Sequence, residues 1–382
     1  MINILYAIFW MTILLSASSY FLYPIVLHSV GKIKKINIKK SNVNPCISVI
    51  IPAYNEEKSI ERKIQNTLEL DYPEDKIEIL IGSDGSTDKT SDIVNKYSSH
   101  GVKYFDYKNN RGKTAVQNDL VESSSGQILV FTDAASFLPE TALTKLIQNF
   151  ADERVGCVAG KMQFIDTDKN LTTQSQGLYW RYEVALRDME SQLGSLIGVD
   201  GPLYAVRREN YIKLENQMIS DLMTPLLVLK QGKKVILEPD ALVNEEPTLK
   251  TKDEFNTRRR ITLRGLTGIF SHKSLLNPMK YPLLSMQILF HKVIRWFVGP
   301  LVVLNGLSAL LLTASVFFRL YLILYSLFFI LAAAGWLAQM MGINVKVLSV
   351  PYYFVLVNSA ATFGVIDYVR KKKVISWKPV RN

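Results

Sequence analysis

Two aspartates stand just past the ends of short apolar runs. Asp84 lies in IEILIGSDGSTDKT (77–90) and Asp133 in GQILVFTDAAS (126–136). A third apolar run, CISVIIPAYNEE (46–57), ends the same way, in polar residues and the acidic Glu57. In an open α/β sheet, ligands bind in the crevice beyond the carboxyl ends of the strands. Carboxylates gathered there suit a ligand that offers hydrogen-bond donors, or a bound cation. Glu57 and Asp84, at two strand ends, are placed to accept such hydrogen bonds. Asp84 in SDGS also fits a residue that caps a turn.

The elements that would position these groups alternate in type. ISVIIPA (47–53) precedes EKSIERKIQNTLEL (57–70), whose Ile60, Ile64 and Leu68 recur at helical spacing. The same change from strand to helix repeats at 77–97, 102–124 and 127–152. This βαβα rhythm predicts a mostly parallel sheet with helices on both faces. VGCVAGKMQF (155–164) reads as a further strand and 175–196 as a long helix. A turn with close backbone approach is expected at Gly198 and Gly201, a helix over about 221–231, and a strand over 234–243.

Apolar residues pile up at both ends of the 382-residue chain. Residues 2–30 carry no Lys, Arg, Asp or Glu and are long enough to cross a bilayer as an uncleaved anchor. Residues 281–296 mix apolar side chains with His291, Lys292 and Arg295, as a helix lying in the interface would. Residues 297–368 hold two apolar stretches of span length and a weaker third at 347–367. The expected organisation is an anchor at 1–30, a basic linker at 31–45, an α/β domain at 46–275, the interfacial helix at 281–296, a membrane region at 297–368 and a basic tail at 369–382.

The net charge of +11 hugs the apolar segments: lysines 32, 34, 35, 39 and 40 follow the first, and Arg370 to Lys373 follow the last. Cytoplasmic flanks are enriched in Lys and Arg, so this pattern points to a membrane and away from nucleic acid. With one N-terminal span the domain is cytoplasmic. Three further spans would then put the last basic cluster outside, against the charge trend, so the count stays open between three and four. Only two cysteines, Cys46 and Cys157, are present, with no CxxC pair and no zinc spacing.

The motifs PAYNEE (52–57), SDGSTD (83–88), NRGKTAVQN (110–118), TDAAS (132–136), GPLYAVRRE (201–209), SDL (220–222) and RRRITLRG (258–265), in this order, resemble glycosyltransferase family 2, enzymes of the GT-A fold. The resemblance runs from about Cys46 to Gly268 and implies a nucleotide-sugar donor. It makes Asp133 the first aspartate of a DxD motif that binds Mg²⁺ or Mn²⁺. Here Ala135 replaces the second aspartate, so one carboxylate ligand is missing. The resemblance also implies that Lys113 and Arg260 contact the diphosphate. Asp221 is similar to the catalytic base, and it is also a residue type favoured at a helix start. Where processive synthases carry QxxRW, Thr257 and Ile261 replace the glutamine and the tryptophan. That points to addition of one sugar.

The resulting expectation is an inverting transfer from a nucleotide sugar, UDP-linked, to a lipid-linked saccharide in envelope or exopolysaccharide assembly, on the cytoplasmic face of the inner membrane. The alternatives are a processive polysaccharide synthase and a catalytically inactive scaffold or nucleotide-sugar sensor. Trp180, Tyr182 and Tyr204 could stack on sugars, but their spacing fits core packing equally well.

Overall fold

The computed structural model describes residues 2–164, 171–245, 250–343 and 345–375. The chain opens with helices α1 (Ile2–Ala17) and α2 (Tyr23–Lys34), joined by a π-helical turn at 18–22 into one rod. The α/β domain follows: β1 (Ile47–Ala53), α3 (Ile60–Leu68), β2 (Ile77–Asp84), α4 (Thr90–Asn95), β3 (Val102–Tyr107), α5 (Lys113–Glu122), β4 (Ile128–Thr132), α6 (Ala142–Ile147) and β5 (Val155–Phe164). It continues through α7 (Leu171–Gln192), β6 (Leu203–Arg207), α8 (Ser220–Lys230), β7 (Lys234–Glu245) and α9 (Thr251–Ser271). Helices α10 (Pro282–Gln287), α11 (Ile294–Leu310), α12 (Val316–Met340) and α13 (Lys346–Val369) complete the described residues.

The seven strands order as β3-β2-β1-β4-β6-β5-β7. All pairings are parallel except those of β6, which runs antiparallel to β4 and β5. Every residue of β1 is buried, as expected for a central parallel strand covered on both faces. One core layer packs Val49, Ile51 and Val130 with Ile64 of α3; the other packs Ile50, Leu80 and Phe131 with Val116 and Leu120 of α5. The parallel register β2–β1–β4 brings the carboxyl ends of those strands to one edge.

Among the described residues four helical stretches are long and apolar enough to cross a membrane: Ile2–Lys34, Pro282–Leu310, Val316–Met340 and Lys346–Val369. The expected interfacial helix at 281–296 is instead the first half of the continuous 282–310 stretch. Its polar residues turn inward. His291 Nδ1 lies 2.7 Å from Glu190 Oε1, and its Nε2 lies 3.2 Å from Glu183 Oε2. Arg295 Nη1 pairs with Glu183 at 2.5 Å, and the Tyr23 hydroxyl donates to Glu190 at 2.6 Å. These groups answer buried carboxylates of α7, not lipid headgroups, and they clamp α2 and α11 onto the domain.

Helix α13 runs alongside α9. The Tyr352 hydroxyl bonds Thr251 at 2.7 Å, and Tyr353 donates to Glu254 at 2.5 Å. Further on, Asp367 accepts from Arg259 Nη2 at 2.9 Å, and Tyr368 stacks on Phe270. After α13 the chain returns to the α/β domain, where the Ile375 carbonyl abuts the α carbon of Gly112. Residues 376–382 of the basic tail lie outside the described residues.

Candidate functional site

Three side chains far apart in the sequence meet at Gly201. A β carbon built there would lie 3.3 Å from Lys113 Nζ, 3.5 Å from Asp221 Oδ2 and 3.8 Å from Asp133 Oδ2. Each comes from a different local device. Asp133 follows β4, where the buried ILVFT strand ends. Lys113 opens α5, after a loop that turns at Gly112 with φ 93°. Asp221 lies in the first turn of α8, and its side chain is turned to the cluster. Gly201 sits in the turn that reverses the chain into β6, closed by Leu203 N–H donating to Asp200 O at 3.1 Å. The absence of a side chain there lets the cation and the two carboxylates converge.

The electrostatics follow from that packing. Lys113 Nζ forms an ion pair with the buried Oδ1 of Asp133. Burial pushes the Asp221 carboxyl up from the usual range, while Lys113, Arg187 and Arg264 pull it back. Arg260 on α9 feels both Asp221 and Asp133, with burial lowering its guanidinium. Arg264, lowered to about 10 by burial, donates from Nη2 to Thr114 Oγ1 at 2.9 Å and to Met218 O, tying α9 to the start of α5.

Asp84 is fully buried and accepts from the backbone N–H groups of Arg111 and Gly112, both at 2.8 Å. It thereby sets the loop that delivers Lys113. Glu57 is exposed; its Oε2 accepts from Lys89 N at 3.2 Å, and its own N–H donates to Asp88 at 3.1 Å. Beside it Asn55, at φ 53°, accepts from Thr87 N at 2.7 Å. The structure thus brings Lys113, Asp133, Asp221 and Arg260 together, ties Asp84 to them through one loop, and places Glu57 in the knit between the β1 and β2 loops.

Two groups escaped the sequence reading. Lys63 of α3, its amine lowered to about 7 by burial against the pull of Asp133, donates to Thr132 Oγ1 at 2.9 Å and to Ser136 O at 2.6 Å. It pins the loop that carries Asp133. Glu245 accepts from Ser136 Oγ at 3.0 Å, and burial, then Asp133, pushes its carboxyl up to about 7. The rule of acidic strand ends would have found Glu245 had β7 been extended two residues past the expected end at 243. Lys63 gave no signal, since a lysine on a helix normally faces water.

Beside the cluster opens a cavity of about 330 Å³, lined by Gly201, Asp221 and Glu245 on the domain side. On the other side are Trp296, Val357 and Ala361 of the apolar helices. Thr257 and Ile261 also line it, as does Trp180, whose Nε1 donates to Met162 O at 2.8 Å. Tyr204 is instead core, stacked on Phe131 at 4.7 Å, and the Tyr182 hydroxyl donates to Tyr20 O.

A hard divalent cation takes oxygen ligands and keeps several waters. Among the described residues no group of three or more His, Cys, Asp or Glu is arranged to hold one. The Asp133 Oδ2 atom turned toward Gly201 and the Glu245 carboxylate on the cavity wall are nonetheless oxygen donors that would fit such an ion bound jointly with a diphosphate.

Residues 48–214 match the family model "Glycosyl transferase family 2". The chain is 34% identical over 139 residues to a probable glycosyltransferase, YdaM, of Bacillus subtilis, covering 34% of this chain and 32% of that one. It is 24% identical over 295 residues to a poly-β-1,6-N-acetyl-D-glucosamine synthase of Staphylococcus epidermidis, covering 74% and 69%. The match to the Bacillus protein therefore spans about a third of that relative's length. In fold, the chain resembles a mannosyltransferase of Pyrobaculum calidifontis solved with GDP-Man and Mn²⁺. That likeness has a TM-score of 0.71 and 21% identity over 97% of this chain and 100% of the other. Motifs, sheet order and these likenesses agree: residues 48–214 form a glycosyltransferase family 2 domain, that of a transferase, in a chain of GT-A-like fold with apolar helices at both ends.

Proposed function

We propose that this protein is an inverting glycosyltransferase that moves one sugar from a UDP-linked donor to a lipid-linked saccharide, at the cytoplasmic face of the inner membrane, in envelope or exopolysaccharide assembly. The observation that carries this reading is the meeting of Lys113, Asp133 and Asp221 at Gly201, on the rim of a cavity walled on its far side by membrane-type helices. The acceptor hydroxyl oxygen attacks the anomeric carbon, and the bond from that carbon to the diphosphate oxygen breaks. Asp221 takes the hydroxyl proton as general base, a role worth about 10²–10⁴ in rate. Its raised affinity for protons suits it to the task. Lys113 and Arg260 face the departing diphosphate and offset its charge. A divalent cation held through Asp133 would add Lewis-acid stabilisation of that leaving group.

The packing of α13 supports a membrane orientation that removes the conflict between span count and charge. We take α13, which packs along the Arg-rich α9 as well as against α11 and α12, to lie under the domain without crossing. The rods 2–34 and 282–310, with α12, then give three crossings. Both basic flanks, lysines 32–40 and Arg370 to Lys373, come to the cytoplasmic side with the domain, as the charge trend requires. The loss of the tryptophan of QxxRW, with Thr257 and Ile261 on the cavity wall, favours single addition over processive synthesis.

The test is mass spectrometry of lipid-linked intermediates in a deletion strain. An intermediate one sugar short should accumulate, and the defect should be repaired by the wild-type gene and by neither Asp133→Ala nor Asp221→Ala. Full glycan production by both variants would favour an inactive scaffold or sensor instead.

A further inference from the structure

A family 2 site with alanine at the second DxD position lacks one carboxylate, and the fold places another beside the gap. Strand β7 pairs in parallel with β5 as far as Phe164 opposite Glu245. Just before its end, Asn244 bridges antiparallel to Phe137, and its N–H donates to Phe137 O at 3.1 Å. The segment leaving β4 through Asp133, Ala135 and Ser136 is therefore laid against the last residues of β7. Ser136 Oγ donates to Glu245 Oε1 at 3.0 Å, fixing the carboxylate against the residue that follows Ala135. Glu245 shares the cavity wall with Gly201 and Asp221, so it faces the same space as the cluster. Lys63 holds both ends of the same loop, at Thr132 and Ser136, and fixes Asp133 relative to Glu245. Asp133 Oδ1 is paired with the Lys113 ammonium, and Oδ2 lies toward Gly201 on the same cavity wall.

We propose that Glu245 supplies the carboxylate that Ala135 lacks, so that Asp133 and Glu245, one from the end of β4 and one from the end of β7, jointly hold the divalent cation with the donor diphosphate. This rests on the reading of the cluster as a nucleotide-sugar site. The chemistry is that of a hard cation with two carboxylate ligands, its remaining positions going to water and phosphate oxygens. Ala135 is then a relocation of a ligand and not a loss of one. The side chain at 135 and the side chain at 245 become exchangeable sources of a single charge.

That exchangeability gives the test. Mn²⁺ binding to the purified full chain in nanodiscs, with and without UDP, is titrated by electron paramagnetic resonance. Glu245→Gln should weaken UDP-dependent Mn²⁺ binding by about 10–100-fold, the range found when groups supporting a metal are lost. The double variant Ala135→Asp with Glu245→Gln should regain most of that loss. Ser136→Ala, which frees Glu245 without removing it, should weaken binding by a smaller factor. Unchanged binding in Glu245→Gln, while Asp133→Asn loses it, would overturn the assignment and leave the reading of the cluster standing. Weakened binding that Ala135→Asp fails to restore would also overturn it, since the two positions would not be equivalent. Failure of the underlying reading shows separately: neither Asp133→Asn nor Glu245→Gln would then alter UDP binding or Mn²⁺ binding.

Discussion

Replacing Asp84 by asparagine separates a loop-setting carboxylate from a ligand-binding one. The carboxylate is fully buried and accepts two backbone N–H groups, Arg111 and Gly112, both at 2.8 Å. Hydrogen bonds to a charged acceptor contribute roughly 1.5–3 kcal/mol each. Asparagine keeps one acceptor oxygen, now uncharged, and turns an NH₂ toward the other amide. One bond is lost and the other is reduced to the neutral range, for a combined cost of about 2–4 kcal/mol. The cost falls on the 108–113 loop, which opens locally before the sheet does. At about 1.4 kcal/mol per tenfold, amide exchange there should speed up by about 30–700-fold. Hydrogen–deuterium exchange of peptides spanning 108–116 reads this directly, with peptides of β1 and β4 as internal controls. Because Lys113 follows the loop, the donor KM should rise together with the exchange rate. Wild-type exchange at 108–116 in the Asp84→Asn variant would refute the loop-setting role, even if the donor KM rose.

Gly201→Ala should fold, since its methyl meets the flexible end of Lys113 at 3.3 Å, but it should displace that ammonium. A misplacement of about 1 Å can cost roughly 10²-fold, so kcat/KM should fall by about that factor with the melting temperature held within a few degrees. Lys63→Met leaves Thr132 Oγ1 and Ser136 O without a buried donor, at about 1–3 kcal/mol, measurable in the melting temperature at pH 7. The same variant has a pH signature. The folded amine at about 7 binds fewer protons than the unfolded one at 10.5, so wild-type stability should rise from pH 7 to pH 10 and the variant should lack that rise. For Asp221, which must be deprotonated to act and whose carboxyl is raised by burial, the acidic limb of kcat/KM should lie above the ordinary carboxylate range. Asp221→Glu should move that limb, while Asp106→Asn, at an exposed position of β3, should not.

The β/α alternation was legible because β1 and β4 are short, wholly buried and mostly apolar runs, and the helices α3 and α5 carry their apolar residues at helical spacing. The reversal of β6 was not, since LYAVR reads the same in either direction and only the turn at Gly201 shows which way it runs. The motifs placed Lys113, Asp133, Asp221 and Arg260 in one site. They could not tell that Asp84 serves a backbone loop, because a carboxylate accepting amide N–H groups and one awaiting a ligand have the same sequence. His291, Lys292 and Arg295 read as an interfacial face, because their partners Glu183 and Glu190 lie on α7, far away in the chain. Helix α13 read as a weak span, and its polar Asn358, Thr362 and Asp367 gain their meaning from contact with neighbouring helices.

The most direct measurement uses inverted membrane vesicles, with radiolabelled UDP-sugars added to the exposed cytoplasmic face and the lipid-soluble label extracted. The wild-type chain should transfer one sugar per acceptor. The Asp221→Asn variant should transfer it about 10²–10⁴-fold more slowly, with donor binding retained. Equal transfer by Asp221→Asn, or label found only in water-soluble polymer, would contradict the assignment of a base-catalysed single addition.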